Sequence, residues 1–142
     1  MDLWELLQNE ELGQEEFKET LSHGIYVSNL AYHLALEAGL SKEVCEEMAV
    51  TGMLHDIGKI RASKLIYVEQ GRDNLIIKEM NYLIQHPFFG YEAVKAEGYS
   101  TTIQESILFH HENYDGSGYP SNLFGNMIQL EPLSTFEYSS AV

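Results

Sequence analysis

Two adjacent histidines run directly into a glycine-rich, proline-ended turn in the segment His110-His111-Glu112-Asn113-Tyr114-Asp115-Gly116-Ser117-Gly118-Tyr119-Pro120. Asp115, Gly116, Ser117 and Gly118 permit positive φ and Pro120 stiffens the exit, so regular structure has to stop at the histidines. Tyr119 is thereby displayed on a defined loop. A second cluster, His55-Asp56-Ile57-Gly58-Lys59, lies upstream. A chain with potential ligands at two such junctions is constrained to folds that bring the junctions together.

The remaining pattern is helical almost throughout, without repeats or low-complexity linkers, and predicts an all-α fold. Leu3, Leu6 and Leu7, with Trp4 beside them, give a short amphipathic stretch in residues 1–14. A helix is expected from Glu15 to Ala38, with Phe17, Leu21, Ile25, Leu30 and Leu34 near its apolar stripe and Gly39 as its stop. Ser41 is a candidate N-cap for a helix through Val44, Met48, Thr51, Gly52 and His55, with Gly58 as its stop. Asn74 to Gln85 is a further helical stretch that ends at His86-Pro87, because proline disfavours helical geometry in the residue before it. Ser100 or Thr101 caps the next, whose core face is Ile103, Ile107 and Leu108.

Five of the six histidines lie on this framework as candidate ligands. Glu19 and His23 are spaced i, i+4 and share a helix face, which suits either a shared metal site or a surface pair. His55 and Asp56 can converge on one ion only near a helix end, since neighbouring helical residues diverge by about 100°. Asp56, with two oxygens, can bridge two ions. His86 sits at a break, and Phe88, Phe89 and Tyr91 beyond it are core or a shield for the site. His33 points elsewhere and reads as structural. A mixed imidazole and carboxylate set without thiolate suits iron or manganese better than structural zinc. Lys59, three residues past Asp56, is either a cation of the site or a surface lysine at a helix end.

Bulk properties narrow the partners. Eight basic against 22 acidic residues give a formal charge of −14, which argues against long nucleic acid and against anionic membranes. A small anionic ligand can still bind where metal ions set the local field. No apolar run approaches the ~20 residues that cross a bilayer, and the first residues lack a basic signal region, so a cytoplasmic location is expected. Cys45 is the only cysteine, which precludes an internal disulfide and suits helix packing.

Over about residues 17–131, His55-Asp56-Ile57-Gly58-Lys59, His86 and the His110-to-Pro120 run resemble the HD-GYP family of metal-dependent phosphohydrolases in both motif and spacing. The resemblance implies an HD-domain helical bundle in one domain: an N-terminal helix in 1–14, a metal-site core in 15–131 and a divergent tail in 132–142. It implies metal ligation by Glu19, His23, His55, Asp56, His86, His110 and His111, with two or three iron or manganese ions. Glu19 resembles the extra carboxylate of the three-metal type. Asp56 and Lys59 carry the catalytic roles, and Gly118, Tyr119 and Pro120 form a substrate-side or partner-contacting loop. The implied activity is metal-assisted hydrolysis of a cyclic dinucleotide, first of all cyclic di-GMP to pGpG or GMP, and a GGDEF-type cyclase is an implied partner.

The tail departs from that family. After Ile128-Gln129-Leu130 the family has an alanine-arginine-isoleucine run and a metal-binding aspartate, whereas here Ser139 stands at the aspartate position, with Glu137 two residues before it. The C-terminal helices of the bundle are expected to be missing or divergent, which would expose apolar surface for a partner or a second copy. Two alternatives therefore stand beside the cyclic dinucleotide phosphodiesterase. One is an HD phosphohydrolase for another nucleotide or phosphoester, and the other is a degenerate metal-binding signalling or interaction module.

Overall fold

A computed structural model describes residues 10–68 and 81–124. The expected helix at Leu3–Leu7, most of the stretch from Asn74, and the tail with Glu137 and Ser139 lie outside these residues. Among the described residues the named helices are, in order, α1 (Glu10–Glu37), α2 (Lys42–Leu54), α3 (Gly58–Val68), α4 (His86–Ala96) and α5 (Thr101–Leu108). Residues 81–84 are also helical, and no strand occurs among the described residues; Asp115 and Phe124 make a single isolated bridge. The all-α expectation is met, and no described helix is long and apolar enough to cross a membrane.

α1 ends where expected, as Gly39 takes φ +75° and Leu40 N–H donates back to Ala35 O at 3.1 Å. Its buried face differs from the expected one. Thr20, Gly24, Val27, Ala31 and Ala35 are buried, whereas Phe17, Leu21, Ile25, Leu30 and Leu34 are exposed. The reason is close backbone contact with α2. A Cβ on Gly24 would stand 2.4 Å from Met53 O, and one on Gly52 2.9 Å from Ser28 N. At that separation only small side chains fit, and larger apolar residues are displaced to the flanks. Ala31 and Ala35 then pack with Val44, Cys45 and Met48 into one core, with Cys45 fully buried as a small apolar residue.

α2 is capped by Ser41, whose Oγ accepts the Val44 N–H at 3.4 Å. It ends at Leu54 with His55 as C-cap. Gly58 is not the stop but the first residue of α3, since the chain turns over residues 55–57 and begins a new helix. The expected break at His86 is present, though Pro87 does not end a helix: it sits in the first turn of α4, where its missing N–H leaves no intrahelical bond unmade. Phe89 is buried there, while Phe88 is exposed and stacks on Tyr91. Ser100 caps α5 by accepting the Ile103 N–H at 3.3 Å, and Ile103 and Ile107 join Val94, Val50 and Leu54 in a second core. α1 lies along α2, α3 and α5 pack on α4, and α1 and α2 reach α3 and α5 respectively, so that the ends of α2, α4 and α5 meet at one place.

Candidate metal centre

The meeting point is Asp56. It is buried in the turn between α2 and α3, and its two oxygens face different neighbours. Oδ1 lies 3.2 Å from His86 Nε2 and 3.6 Å from His110 Nε2. Oδ2 lies 3.3 Å from His55 Nε2, 3.6 Å from His23 Nε2 and 2.7 Å from Lys59 Nζ. Two donor groups result, Asp56 with His86, His110 and His111 on one side and Asp56 with His23 and His55 on the other, each compact enough to hold a metal ion.

Three of the imidazoles are oriented by one local device. A helix end leaves backbone carbonyls without an intrahelical partner. His55 Nδ1 meets Gly52 O at 2.7 Å, His86 Nδ1 meets Leu83 O at 2.5 Å, and His110 Nδ1 meets Ile107 O at 2.6 Å. In each case the partner is three residues back. A carbonyl only accepts, so Nδ1 carries the proton and the Nε2 lone pair is turned toward Asp56. The ends of α2 and α5 and the start of α4 therefore aim three metal-competent nitrogens at one carboxylate.

Without a cation this arrangement is electrostatically unfavourable. His86 Nε2 and His110 Nε2 are 3.2 Å apart, and a neutral imidazole whose proton is committed to a carbonyl has none to share between them. Asp56 Oδ1 is buried and accepts no hydrogen bond, despite the two nitrogens beside it. Burial by itself would raise the Asp56 pKa, and the carboxyl falls well below the usual carboxylate range only where His110, His55 and His86 donate to it; with their Nε2 lone pairs turned inward, that part falls to a cation. Burial lowers His110, and burial followed by the charges of His110 and His86 pushes His111 down to about 3, which keeps that ring neutral. Lone pairs facing lone pairs around a carboxylate are resolved by a metal ion, and these residues fit one.

Lys59 comes from the first turn of α3, which can approach only because residue 58 is glycine: a Cβ there would fall 1.9 Å from His86 O and 2.6 Å from Gly90 N. Beyond His111 the chain folds back. Tyr119 N–H donates to His111 O at 3.1 Å, and the Tyr119 ring stacks on His111 with centroids 4.6 Å apart and planes 16° from parallel. Gly118 passes so close to Asn113 N and His111 O that a Cβ would lie 2.3 Å from each. The Tyr119–Pro120 peptide is cis. Lys59, Leu83, Ile84, His86, His111 and Tyr119 line an open cleft of about 390 Å³ beside the buried donor group.

Of the sequence-derived candidates, His23, His55, Asp56, His86, His110 and His111 come together, Lys59 joins them through Asp56, and Gly118 to Pro120 form the adjoining loop. Glu19 is exposed one turn before His23 and belongs to neither donor group. His33 packs edge-on against Tyr32, away from the site. Two residues escaped the sequence reading: Gly58, whose role is close approach rather than helix termination, and Glu112, which is fully buried. The only sequence signal for Glu112 is a charged residue directly after the paired histidines.

A helical protein with a histidine-aspartate cluster at the junction of its helix ends is thus defined by fold and site. The chain belongs to the HD domain family, whose model matches residues 5–132, and its motifs are of the HD-GYP type. It is 37% identical over 122 residues to the cyclic di-GMP phosphodiesterase response regulator RpfG of Xanthomonas campestris pv. campestris (strain 8004), covering 84% of this chain and 30% of that protein. It is 35% identical over 118 residues to a cyclic di-GMP phosphodiesterase of Thermotoga maritima, covering 81% and 31%. With the 3'3'-cGAMP-specific phosphodiesterase 1 of Vibrio cholerae it shares 34% identity over 113 residues, covering 78% and 25%. The chain spans less than a third of the length of each of these relatives.

Proposed function

We propose that this chain is a metal-dependent phosphodiesterase domain that hydrolyses a cyclic dinucleotide, with cyclic di-GMP as the first substrate and 3'3'-cGAMP as the second. The observation that carries the reading is the convergence of three carbonyl-anchored imidazoles on the two oxygens of Asp56. The names of the relatives support the substrate class.

In this reading His86, His110 and His111 would hold one ion and His23 and His55 a second, with Asp56 available to both. The thiolate-free donor set favours iron or manganese. When bound, such ions supply positive charge against a phosphoryl oxygen and make an attacking water more acidic. The chain's own residues do the rest. The Nδ1–H···O=C bonds fix the tautomers of His55, His86 and His110, so no proton has to move on those rings before a ligand binds. Lys59, already within hydrogen-bonding reach of Asp56 Oδ2, brings an ammonium to the cleft and serves as donor to a phosphate oxygen or to the leaving 3′-oxygen. Leu83, Ile84 and the Tyr119 ring offer apolar surface for a base. The net charge of −14 makes this local field, and not the surface as a whole, responsible for attracting an anion. A GGDEF-type cyclase, which makes the substrate, is the partner class the same reading implies.

Ser139, at the position of an expected aspartate, favours a second reading, a metal-binding module without turnover. One experiment separates them. Protein purified without added metal is analysed for iron and manganese and then incubated with cyclic di-GMP and 3'3'-cGAMP under reducing conditions. Two ions per chain with linear dinucleotide as product is the expected result. Full metal with no product from either substrate supports the second reading, and a site that takes up no metal brings both down.

A further inference from the structure

Glu112 is fully buried, yet it touches no candidate ligand through its carboxylate. Its two oxygens are instead spent on the backbone of the returning loop: Oε1 accepts the Ser121 N–H at 2.6 Å and Oε2 accepts the Leu123 N–H at 3.0 Å. Both partners lie just beyond Tyr119-Pro120. The loop thus has two attachments to the end of α5, the Tyr119 N–H on His111 O and the Glu112 carboxylate below it. Asn122, at φ 54°, adds an internal bond from its Nδ2 to Gly118 O, which stiffens the loop without tying it to the helices. A carboxylate accepting two backbone donors in a dry environment makes strong bonds, and leaving either side unpaired would be costly, so the loop is held by Glu112.

We propose that Glu112 is the positioning residue of the substrate cleft: by clamping Ser121 and Leu123 it holds the Tyr119 ring flat on His111, so that the ring forms a fixed wall for the base of the bound dinucleotide. The inference rests on the phosphodiesterase reading for the identity of the ligand and on geometry alone for the clamp. Glu112→Gln is the informative change. The amide has the same shape, but it keeps one acceptor and turns an NH2 group toward the other backbone N–H, so one of the two bonds becomes a donor facing a donor.

The test compares the metal-loaded wild type with Glu112→Gln, Tyr119→Ala and the double variant. Metal content, amide hydrogen exchange at Ser121 and Leu123, and steady-state kinetics with cyclic di-GMP are measured on each. Glu112→Gln is expected to retain the wild-type metal content, to speed exchange at those two amides and to raise KM about tenfold, the consequence of losing one buried hydrogen bond. kcat falls by less than KM rises. Because the clamp acts through Tyr119, the double variant should have the KM of Tyr119→Ala alone. Additive effects on KM, unchanged exchange, or loss of metal from Glu112→Gln would overturn the proposal. Should Glu112→Gln fail to fold, Glu112→Asp, which can keep at most one reach to the loop, is judged on the same exchange and KM criteria. A wild type that turns over no cyclic dinucleotide while the two amides respond as expected would bring down the phosphodiesterase reading and leave the clamp in place.

Discussion

The two donor groups that share Asp56 are built differently. On one side the His86 and His110 side chains are only 2% and 4% exposed; on the other His55 is 13% exposed and His23 49%. The buried side draws on the end of the helical residues 81–84 and the end of α5, where free carbonyls orient His86 and His110. His23 comes from the middle of α1, where backbone carbonyls are already engaged in the helix, and its ring is set by its rotamer and by a tilted contact with His55 at 5.2 Å. His86 and His110, like His55 of the open group, are organised by backbone carbonyls before an ion arrives, whereas the solvated His23 loses side-chain entropy on binding. The difference predicts a tightly held ion in the buried group and a more readily exchanged one in the open group.

Asp56→Asn attacks what the halves have in common and should have the largest effect. An amide supplies neither the bridging charge nor two equivalent oxygens, so both ions should be lost, and turnover with them. The loss should exceed the roughly 10–100-fold that removal of a supporting partner costs a metal site. Elemental analysis and kinetics on one preparation check it; retention of a full metal complement would show that Asp56 is not the bridge. His110→Ala and His23→Ala then split the halves. The first should empty the buried group and, with it, most of the activity. The second should leave one tightly held ion per chain and weaken only the exchangeable one, which a chelator titration resolves into two steps. Equal losses from the two variants would mean that the halves bind as one unit.

Gly58→Ala tests the same comparison without touching a donor. Its Cβ would have to displace His86 O and Gly90 N, both backbone atoms, so α3 and α4 must separate. Overpacking of this kind costs about 1–3 kcal/mol, enough to lower Tm by several degrees in a chain of this size. The separation moves His86 away from Asp56, so ion loss from the buried half should accompany the fall in Tm. A destabilised protein with unchanged metal affinity would show that the buried half tolerates movement of α4.

Much of the candidate site was legible in the sequence because it is built at helix ends, which leave local marks. Ser41 and Ser100 announce α2 and α5, the proline after His86 announces a break, and the glycines after His111 announce a turn. Ligands placed at those marks could be expected to converge. What escaped depends on contacts between elements. The buried face of α1 is hidden from the sequence because hydrophobic patterning favours Phe17, Leu21 and Ile25, whereas a close helix crossing selects Gly24, Ala31 and Ala35 for their size. Gly58 looks like a helix stop in the sequence for the same reason: the partner that demands a glycine, His86 O, lies 28 residues away. Glu112 was passed over because its partners are backbone N–H groups, which no side-chain pattern reveals.

The smallest expected effect concerns Glu19, whose helical spacing with His23 invites a third ion. The spacing is real, but two donors on an exposed face do not make a site unless a third group faces them, and Glu19 joins neither group around Asp56. An exposed glutamate one turn from a half-exposed histidine interacts mainly through water, where such pairs are worth a few tenths of a kcal/mol. Glu19→Gln should therefore leave two ions per chain, the two chelator steps at their wild-type positions and Tm within about a degree. A fall of one ion per chain, with the buried step unmoved, would instead extend the open half by a third metal and make Glu19 its ligand. That result would sharpen the contrast between the halves, because the added ion would sit where the protein contributes least and solvent most.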